Sequence, residues 1–449
     1  VDLRRRLDDG KPIFGTDGVR GAAGSELTAE LAMDIGRAAG SHLEHGPVVV
    51  GRDTRRSGSM LSSALQAGLH SVGIDTVDVG VLPSGGISYL TATSGATMGA
   101  VVSASHNPAP DNGIKLLSHR GTKLPDEVER EIEDRMRGEG RKIALGAEIG
   151  IRLDSSDGHD KYLDHLVSAS RYGFNGLRIA VDCANGAAYD VAPRLFSRLK
   201  ADARIFCAEP NGQNINDGCG ATSPEYLAQR VNGQIGFAFD GDADRLIAID
   251  EDGEVANGDV IMAIIARHLK EQGRLKKNLV VATVMSNLGF RRSMAEADIE
   301  MVETPVGDRY VMEALIKRRA LLGGEQSGHI IFADMAQTGD GLLTAIQLLN
   351  VVAGTGKELR LLRAEAMTEF PQVLLNVEVA RSVDVASLDE LWDEVAVVEE
   401  ELGEDGRVLV RPSGTEPLVR IMVEAPSQTL ASGYAERLAA VTEVAAAKE

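Results

Sequence analysis

Short apolar runs and amphipathic stripes alternate along most of this chain, and that alternation restricts the fold more than any single residue does. Thr28 is placed to cap a helix in which Leu31 and Ile35 lie four apart, and Pro47-Val48-Val49-Val50 follows as a short buried strand. Leu61, Leu65 and Leu69 mark a second helical stripe, and Ile74 to Val79 alternates as a strand should. Strands separated by helices of this length need crossovers, which predicts a largely parallel sheet. The pattern restarts at LRIAVDCANGAAYDVAPRLF and again between VIMAIIARHL and LLGGEQSGHIIF. After TEFPQ the character changes. VLLNVEV, the acidic LDELWDEVAVVEEEL, RVLVRP, LVRIMVEA and an alanine-rich terminal stretch read as a smaller α+β unit. The expectation is three similar α/β blocks and a fourth α+β block, divided at 1–157, 158–255, 256–369 and 370–449. A chain of 449 residues exceeds one ordinary core, and length alone suggests about three domains.

Charge narrows the partners. The net charge is −20, from 67 acidic and 47 basic side chains. Such a surface repels polyanions and anionic bilayers, so neither nucleic acid nor a membrane is expected as a partner. A few arginines gathered in a cleft can still hold a small anion. Aromatic residues, at 4%, offer little for base stacking. Cys183, Cys207 and Cys219 are an odd trio without CxxC spacing, which predicts neither a disulfide framework nor a zinc knuckle and points to a reducing compartment. The basic N-terminal stretch has no apolar segment behind it, and no run approaches the ~18 residues that span a bilayer. A cytoplasmic location is expected.

Four loops carry candidate chemistry. In SASHNPAPDNGIK, Ser105 closes a buried strand, but the GxSxG elbow of a hydrolase nucleophile is missing. His106 follows directly, and neighbouring side chains in extended chain point opposite ways, so it is a poor base for Ser105. Ser105 is then either a turn residue or the carrier of a phosphoryl group, with Lys115 near to neutralise that group and move a proton. In FAFDGDADR, Asp240, Asp242 and Asp244 crowd three carboxylates into five positions, an arrangement a cation relieves. An EF-hand would need glycine where Arg245 stands and helices where strands flank the loop, so these hard oxygens suit magnesium. GGEQSGHIIF offers Glu325, Ser327 and His329, a hydroxyl-binding set or else a plain glycine turn. RPSGTEPLVR gathers Arg411, Ser413, Gly414, Thr415 and Arg420, which suits bidentate phosphate capture or an exposed connection between strands. No Walker A pattern occurs. One such loop on each block fits phosphoryl transfer to and from a phosphorylated polyol. A metal-dependent sugar-phosphate phosphatase is the alternative built from the same parts.

These motifs stand in order with FGTDGVRG, GRDTRRSG, DCANGA, NGQNIN, VMSNLG, VGDRYV and TGDG. Over nearly its whole length the chain thus resembles the alpha-D-phosphohexomutase family, most closely its bacterial glucosamine-phosphate branch. The resemblance implies four domains around a central cleft, three of them α/β with mixed sheets and the last α+β. It implies that Ser105 is a phosphoserine which, with Asp240, Asp242 and Asp244, holds one magnesium ion per chain. Arg20 and Arg245 would support the phosphoryl group, and Lys115 and His329 would act as general acid and base. Glu325 and Ser327 would grip sugar hydroxyls, while Arg411, Ser413, Gly414, Thr415 and Arg420 would hold the phosphate not in transit.

The implied reaction interconverts glucosamine 6-phosphate and glucosamine 1-phosphate through a 1,6-bisphosphate, supplying amino-sugar nucleotide and cell-wall precursor synthesis. Glucosamine 1,6-bisphosphate or a similar hexose bisphosphate would serve as activator. A phosphomannomutase/phosphoglucomutase of the same fold is the alternative, and Gln326 bears on that choice because the glucosamine branch usually carries asparagine there. A small sugar phosphate is the expected partner, and a monomer or homodimer the expected assembly.

Overall fold

Val48–Arg52, read from the sequence as a buried strand, lies inside a six-stranded sheet with its first four residues buried. The computed structural model describes residues 3–138, 140, 142–155, 157–380, 383–412 and 418–447. In spatial order the sheet runs Val19–Ala22, Asp111–Ser118, Met98–Val102, Val48–Arg52, Thr76–Val81, Arg152–Asp154. Its last four strands are parallel and the first two join antiparallel, so the sheet is mixed. The second strand of the chain to enter the parallel set begins at Thr76 rather than Ile74, because the Ile74 N–H closes the preceding helix on the Leu69 carbonyl.

Thr28 caps helix Ala29–His42 by accepting from the Leu31 N–H at 3.2 Å, as its position predicts. Leu61, Leu65 and Leu69 of helix Gly58–His70 are all buried in the same core, each worth roughly 1.5–3 kcal/mol relative to exposure. The two helices meet backbone to backbone. A Cβ at Gly36 would lie 2.1 Å from the Leu65 carbonyl oxygen, and one at Gly68 equally near that of Met33.

Two further sheets repeat the plan. The second runs Val255–Ala256, Leu246–Ile249, Ile235–Phe239, Arg178–Asp182, Asp202–Phe206; the third runs Glu300–Thr304, Leu279–Thr283, Leu322–Gly324, Ile330–Phe332. In each of the three, one parallel strand ends in a loop and the chain returns as its antiparallel neighbour. Met98–Val102 returns as Asp111–Ser118, Ile235–Phe239 as Leu246–Ile249, and Leu322–Gly324 as Ile330–Phe332. The three reversals carry Ser105, the three aspartates, and Glu325 to His329. Ligand loops at the carboxyl ends of parallel strands are the usual outcome of such sheets.

All three sheets belong to one compact unit, Val1–Met285 with Ile299–Ala366. A second unit, Ser286–Asp298 with Met367–Glu449, holds an antiparallel sheet ordered Gln372–Glu378, Leu418–Glu424, Arg407–Pro412 and the helices Asp389–Leu402 and Gln428–Ala446. Its core is formed by Val377, Leu391, Val398, Val419, Ile421 and Leu438 among others, which is the α+β unit read from the sequence. Among the described residues no helix is long and apolar enough to cross a membrane.

Candidate active site

Ser105 is buried and sits in the left-handed region at φ 51°, a conformation that costs free energy in any residue but glycine and persists only where its surroundings enforce it. Its N–H donates to Ser103 Oγ at 2.9 Å, and Ser103 in turn donates to Asp53 at 2.6 Å. Arg55, wholly enclosed, pairs with Asp53 at 2.8 Å and spreads its remaining donors over the carbonyls of Ser105, Asn107, Pro108 and Asp111. Asn216 adds a second donor to the Ser105 carbonyl at 2.9 Å. One guanidinium therefore holds four carbonyls of the loop, which a lysine's single point of charge cannot do. The role of Asp53 and Arg55, in GRDTRRSG, was not assigned from sequence, because their partners lie about fifty residues along the chain.

This frame aims the Ser105 hydroxyl at Asp240 Oδ2, 2.5 Å away. Asp240, Asp242 and Asp244 are all buried, and one oxygen of each lies within 4.8 Å of the others. Burial, with the charges of Asp244 and Asp242, pushes the Asp240 carboxyl up to about 8. Burial would raise Asp244 too, but Lys115 and His329 beside it hold that carboxyl well below the usual range. Neither Asp242 Oδ1 nor Asp244 Oδ1 has a hydrogen-bond partner among the described residues. Three crowded carboxylates with two bare buried oxygens, all hard donors, fit a small hard dication such as magnesium. Ser84 secures the triad from behind, donating its hydroxyl to Asp242 Oδ2 at 2.7 Å.

Lys115 is buried and lies 3.1 Å from Asp242, 3.5 Å from Asp244 and 3.9 Å from Asp17. Burial alone would lower its pKa, yet these three carboxylates raise it, so the amine stays charged. His329 presents Nδ1 to Asp244 at 3.6 Å, while its Nε2 accepts the Gly339 N–H at 3.0 Å. In the neutral ring that acceptor role places the proton on Nδ1; in the charged ring both nitrogens carry protons, and Nε2 faces Asp308 at 3.5 Å. Burial lowers the His329 pKa and Asp244, Asp308 and Glu325 raise it, to about 9. Adjacent His106 goes the other way, down to about 4, through burial and the cations of Arg245 and Arg20. It is a neutral neighbour of Ser105 rather than a base acting on it.

Arg20 pairs with Asp17 and reaches Asn107 Oδ1 at 3.4 Å; Arg245 Nε is 3.9 Å from Asp244. The Nε of each, and the Ser327 hydroxyl, are buried without a hydrogen-bond partner among the described residues. Glu325 accepts the Gly307 N–H at 2.9 Å, and the Leu246 N–H donates to the Gly328 carbonyl at 3.1 Å, which ties the third loop to the strand leaving the triad. Asp17 and Asp308 also escaped the sequence reading. Lys123 bridges them, 2.6 Å from Asp308, so they tie the first and third α/β blocks to each other. In the second unit, Arg411 and Arg420 face each other in register on adjacent antiparallel strands, and burial with the Arg420 charge lowers the Arg411 pKa. Ser413, Gly414 and Thr415 lie outside the described residues.

The chain resembles known proteins over nearly its whole length. The chain matches the phosphoglucomutase/phosphomannomutase alpha/beta/alpha domain I over residues 11–142, domain II over 160–253 and domain III over 257–370. It matches the C-terminal domain of that family over 374–441. The phosphoglucosamine mutase of Oceanobacillus iheyensis is 51% identical over 439 residues, covering 96% of this chain and 98% of that protein. That of Bacillus subtilis is 49% identical over 437 residues, covering 95% and 97%. Among solved structures, a phosphoglucomutase/phosphomannomutase family protein from Burkholderia thailandensis aligns with a TM-score of 0.81 at 26% identity, over 96% of this chain and 97% of that one. The Aspergillus fumigatus N-acetylphosphoglucosamine mutase, solved with GlcNAc-6P and magnesium, shares the fold at a TM-score of 0.71 and 19% identity, over 99% of each chain.

Proposed function

This chain belongs to the phosphoglucomutase/phosphomannomutase family, and from that premise we propose how its residues perform the reaction. It is an intramolecular phosphotransferase that interconverts glucosamine 6-phosphate and glucosamine 1-phosphate. The observation that carries this reading is the Ser105 hydroxyl set 2.5 Å from a buried aspartate triad that also holds Lys115. Relatives about half identical over nearly the whole chain bear the corresponding name.

Ser105 carries the phosphoryl group between two positions of one sugar. In the first half the Ser105 O–P bond breaks as the free O1 or O6 of the hexosamine monophosphate bonds to phosphorus. That hydroxyl gives up its proton, and the serine oxygen is left to be rephosphorylated. The resulting 1,6-bisphosphate turns over and returns its other phosphate to Ser105, so a chain without phosphoserine needs a hexose bisphosphate to prime it. Asp240, Asp242 and Asp244 would hold one magnesium ion beside Ser105, and its charge would offset that on the transferring oxygens. Lys115, held charged by its carboxylates, and His329, whose Nδ1 faces Asp244, are assigned the proton movements. Arg20 and Arg245 steady the phosphoryl group, and Glu325 and Ser327 orient the sugar hydroxyls. Arg411 and Arg420, with Ser413, Gly414 and Thr415, hold the phosphate at rest, which supplies orientation for the one that moves.

Initial rates on glucosamine 6-phosphate, glucose 1-phosphate and mannose 1-phosphate test the assignment. The highest kcat/KM is expected with the amino sugar; a preference for mannose would move the chain to another branch of the family. Stoichiometric release of free phosphate would instead make it a phosphatase.

A further inference from the structure

Cysteine spacing along the chain predicts no zinc knuckle, but the fold brings two of the three cysteines together with a carboxylate. Asp182 ends the strand Arg178–Asp182, Cys207 follows its parallel neighbour Asp202–Phe206, and Cys219 precedes the short turn Gly220–Thr222. One oxygen of Asp182 and the two sulfurs lie within 4.8 Å of one another. Asp182 and Cys219 are buried, while Cys207 is half-buried and gives access from solvent.

The cluster is built rather than accidental. The Asp182 carboxylate is fixed by the N–H groups of Ala184 and Gly220, each at 2.8 Å. Cys207 adopts φ 48°, and its carbonyl accepts the Asn185 N–H. The Cys207 sulfur lies beside that carboxylate and the Cys219 sulfur, and the Arg230 guanidinium stacks over the Tyr226 ring at 3.8 Å. The site stands at the carboxyl ends of parallel strands, where such sheets bind ligands. It differs in kind from the aspartate triad: two sulfurs favour a soft or borderline cation, and three protein ligands leave a tetrahedral ion one open position.

We propose that Asp182, Cys207 and Cys219 bind a thiophilic divalent cation of the zinc class, at a site separate from the aspartate triad. Binding displaces the two thiol protons to solvent and leaves the sulfurs as thiolate ligands. The loop between the two cysteines carries Asn216, which donates to the Ser105 carbonyl, so the ion fixes the base of a segment that supports the serine loop.

The full chain, reduced with a phosphine and held in excess magnesium, is titrated with cobalt(II) and then zinc. A thiolate-to-cobalt charge-transfer band is expected, saturating at about one ion per chain and erased by zinc. It should be missing in Cys207→Ser and Cys219→Ser, whose retained mutase turnover shows that they fold. In the unmodified chain zinc should slow alkylation of Cys207 roughly tenfold or more, a measurement that needs no variant. No band in the reduced chain, a band that survives both substitutions, or alkylation unaffected by zinc would overturn the proposal. So would a Cys207–Cys219 disulfide that persists under the same reducing conditions.

Discussion

The Ser105 hydroxyl donates to Asp240 Oδ2 at 2.5 Å, across 135 residues of sequence. Burial and two like-charged neighbours raise the Asp240 carboxyl, so the contact joins the nucleophile to a group that needs a positive charge beside it. Lys115 supplies part of that charge through Asp242 and Asp244. The rest is the part we assign to a dication.

Removing the metal should therefore act on stability as well as on rate. Magnesium at a hundredfold excess over its Kd is expected to stabilise the chain by about 2.7 kcal/mol, read as a rise in Tm by calorimetry. Chelation should abolish turnover and reverse that rise. In Asp242→Asn magnesium should move Tm much less; an undiminished rise would place the ion elsewhere.

Arg55→Met leaves Asp53 buried without its cation and frees the carbonyls of the serine loop. Breaking a buried pair in this way costs roughly 3–5 kcal/mol. Urea denaturation should show that loss, and kcat should fall more than KM rises, because the loop positions Ser105 rather than the sugar.

Gly241 sits against the serine loop: a Cβ there would lie 2.6 Å from the Ser105 carbonyl oxygen and 2.9 Å from Asn216 Nδ2. Gly241→Ala should lower kcat on the order of tenfold or more by shifting Ser105, at a stability cost of about 1–3 kcal/mol. Unchanged kinetics would mean the loop yields without moving its serine.

Tyr162 and Asp340 form a buried hydrogen bond of 2.8 Å, and Asp340 also caps helix Gly341–Thr355 through the Leu343 N–H. Tyr162→Phe leaves a buried carboxylate oxygen short of a donor, which should cost about 1–3 kcal/mol. Turnover of the folded protein should not change, since neither residue touches the reacting groups. Thermal denaturation and kcat, measured on one preparation, separate the two effects.

How much of this was legible in the sequence depends on distance along the chain. Ser105, the three aspartates, and Glu325 to His329 each follow a short buried strand, so local pattern exposed them and the mixed α/β sheets around them. Arg411 and Arg420 were visible as a pair, and antiparallel register sets them opposite. Asp53, Arg55, Ser84 and Asn216 were not legible, because each acts on a residue 50 or more positions away that only the folded sheets bring near. The cysteines teach the same point. Their spacing predicts no zinc knuckle, whereas the fold brings Cys207 and Cys219 together, one at the end of a strand pair and the other in the loop behind it.

The central claim is that Ser105 carries the phosphoryl group, and intact-mass spectrometry of the chain tests it most directly. After incubation with glucose 1,6-bisphosphate the chain should gain the mass of one phosphoryl group, mapped by peptide fragmentation to Ser105. A dephosphorylated preparation should regain turnover in step with that mass, and Ser105→Ala should show neither the mass nor the turnover while still binding sugar phosphate. Full turnover in a chain that never acquires the added mass, or in Ser105→Ala, would contradict the account.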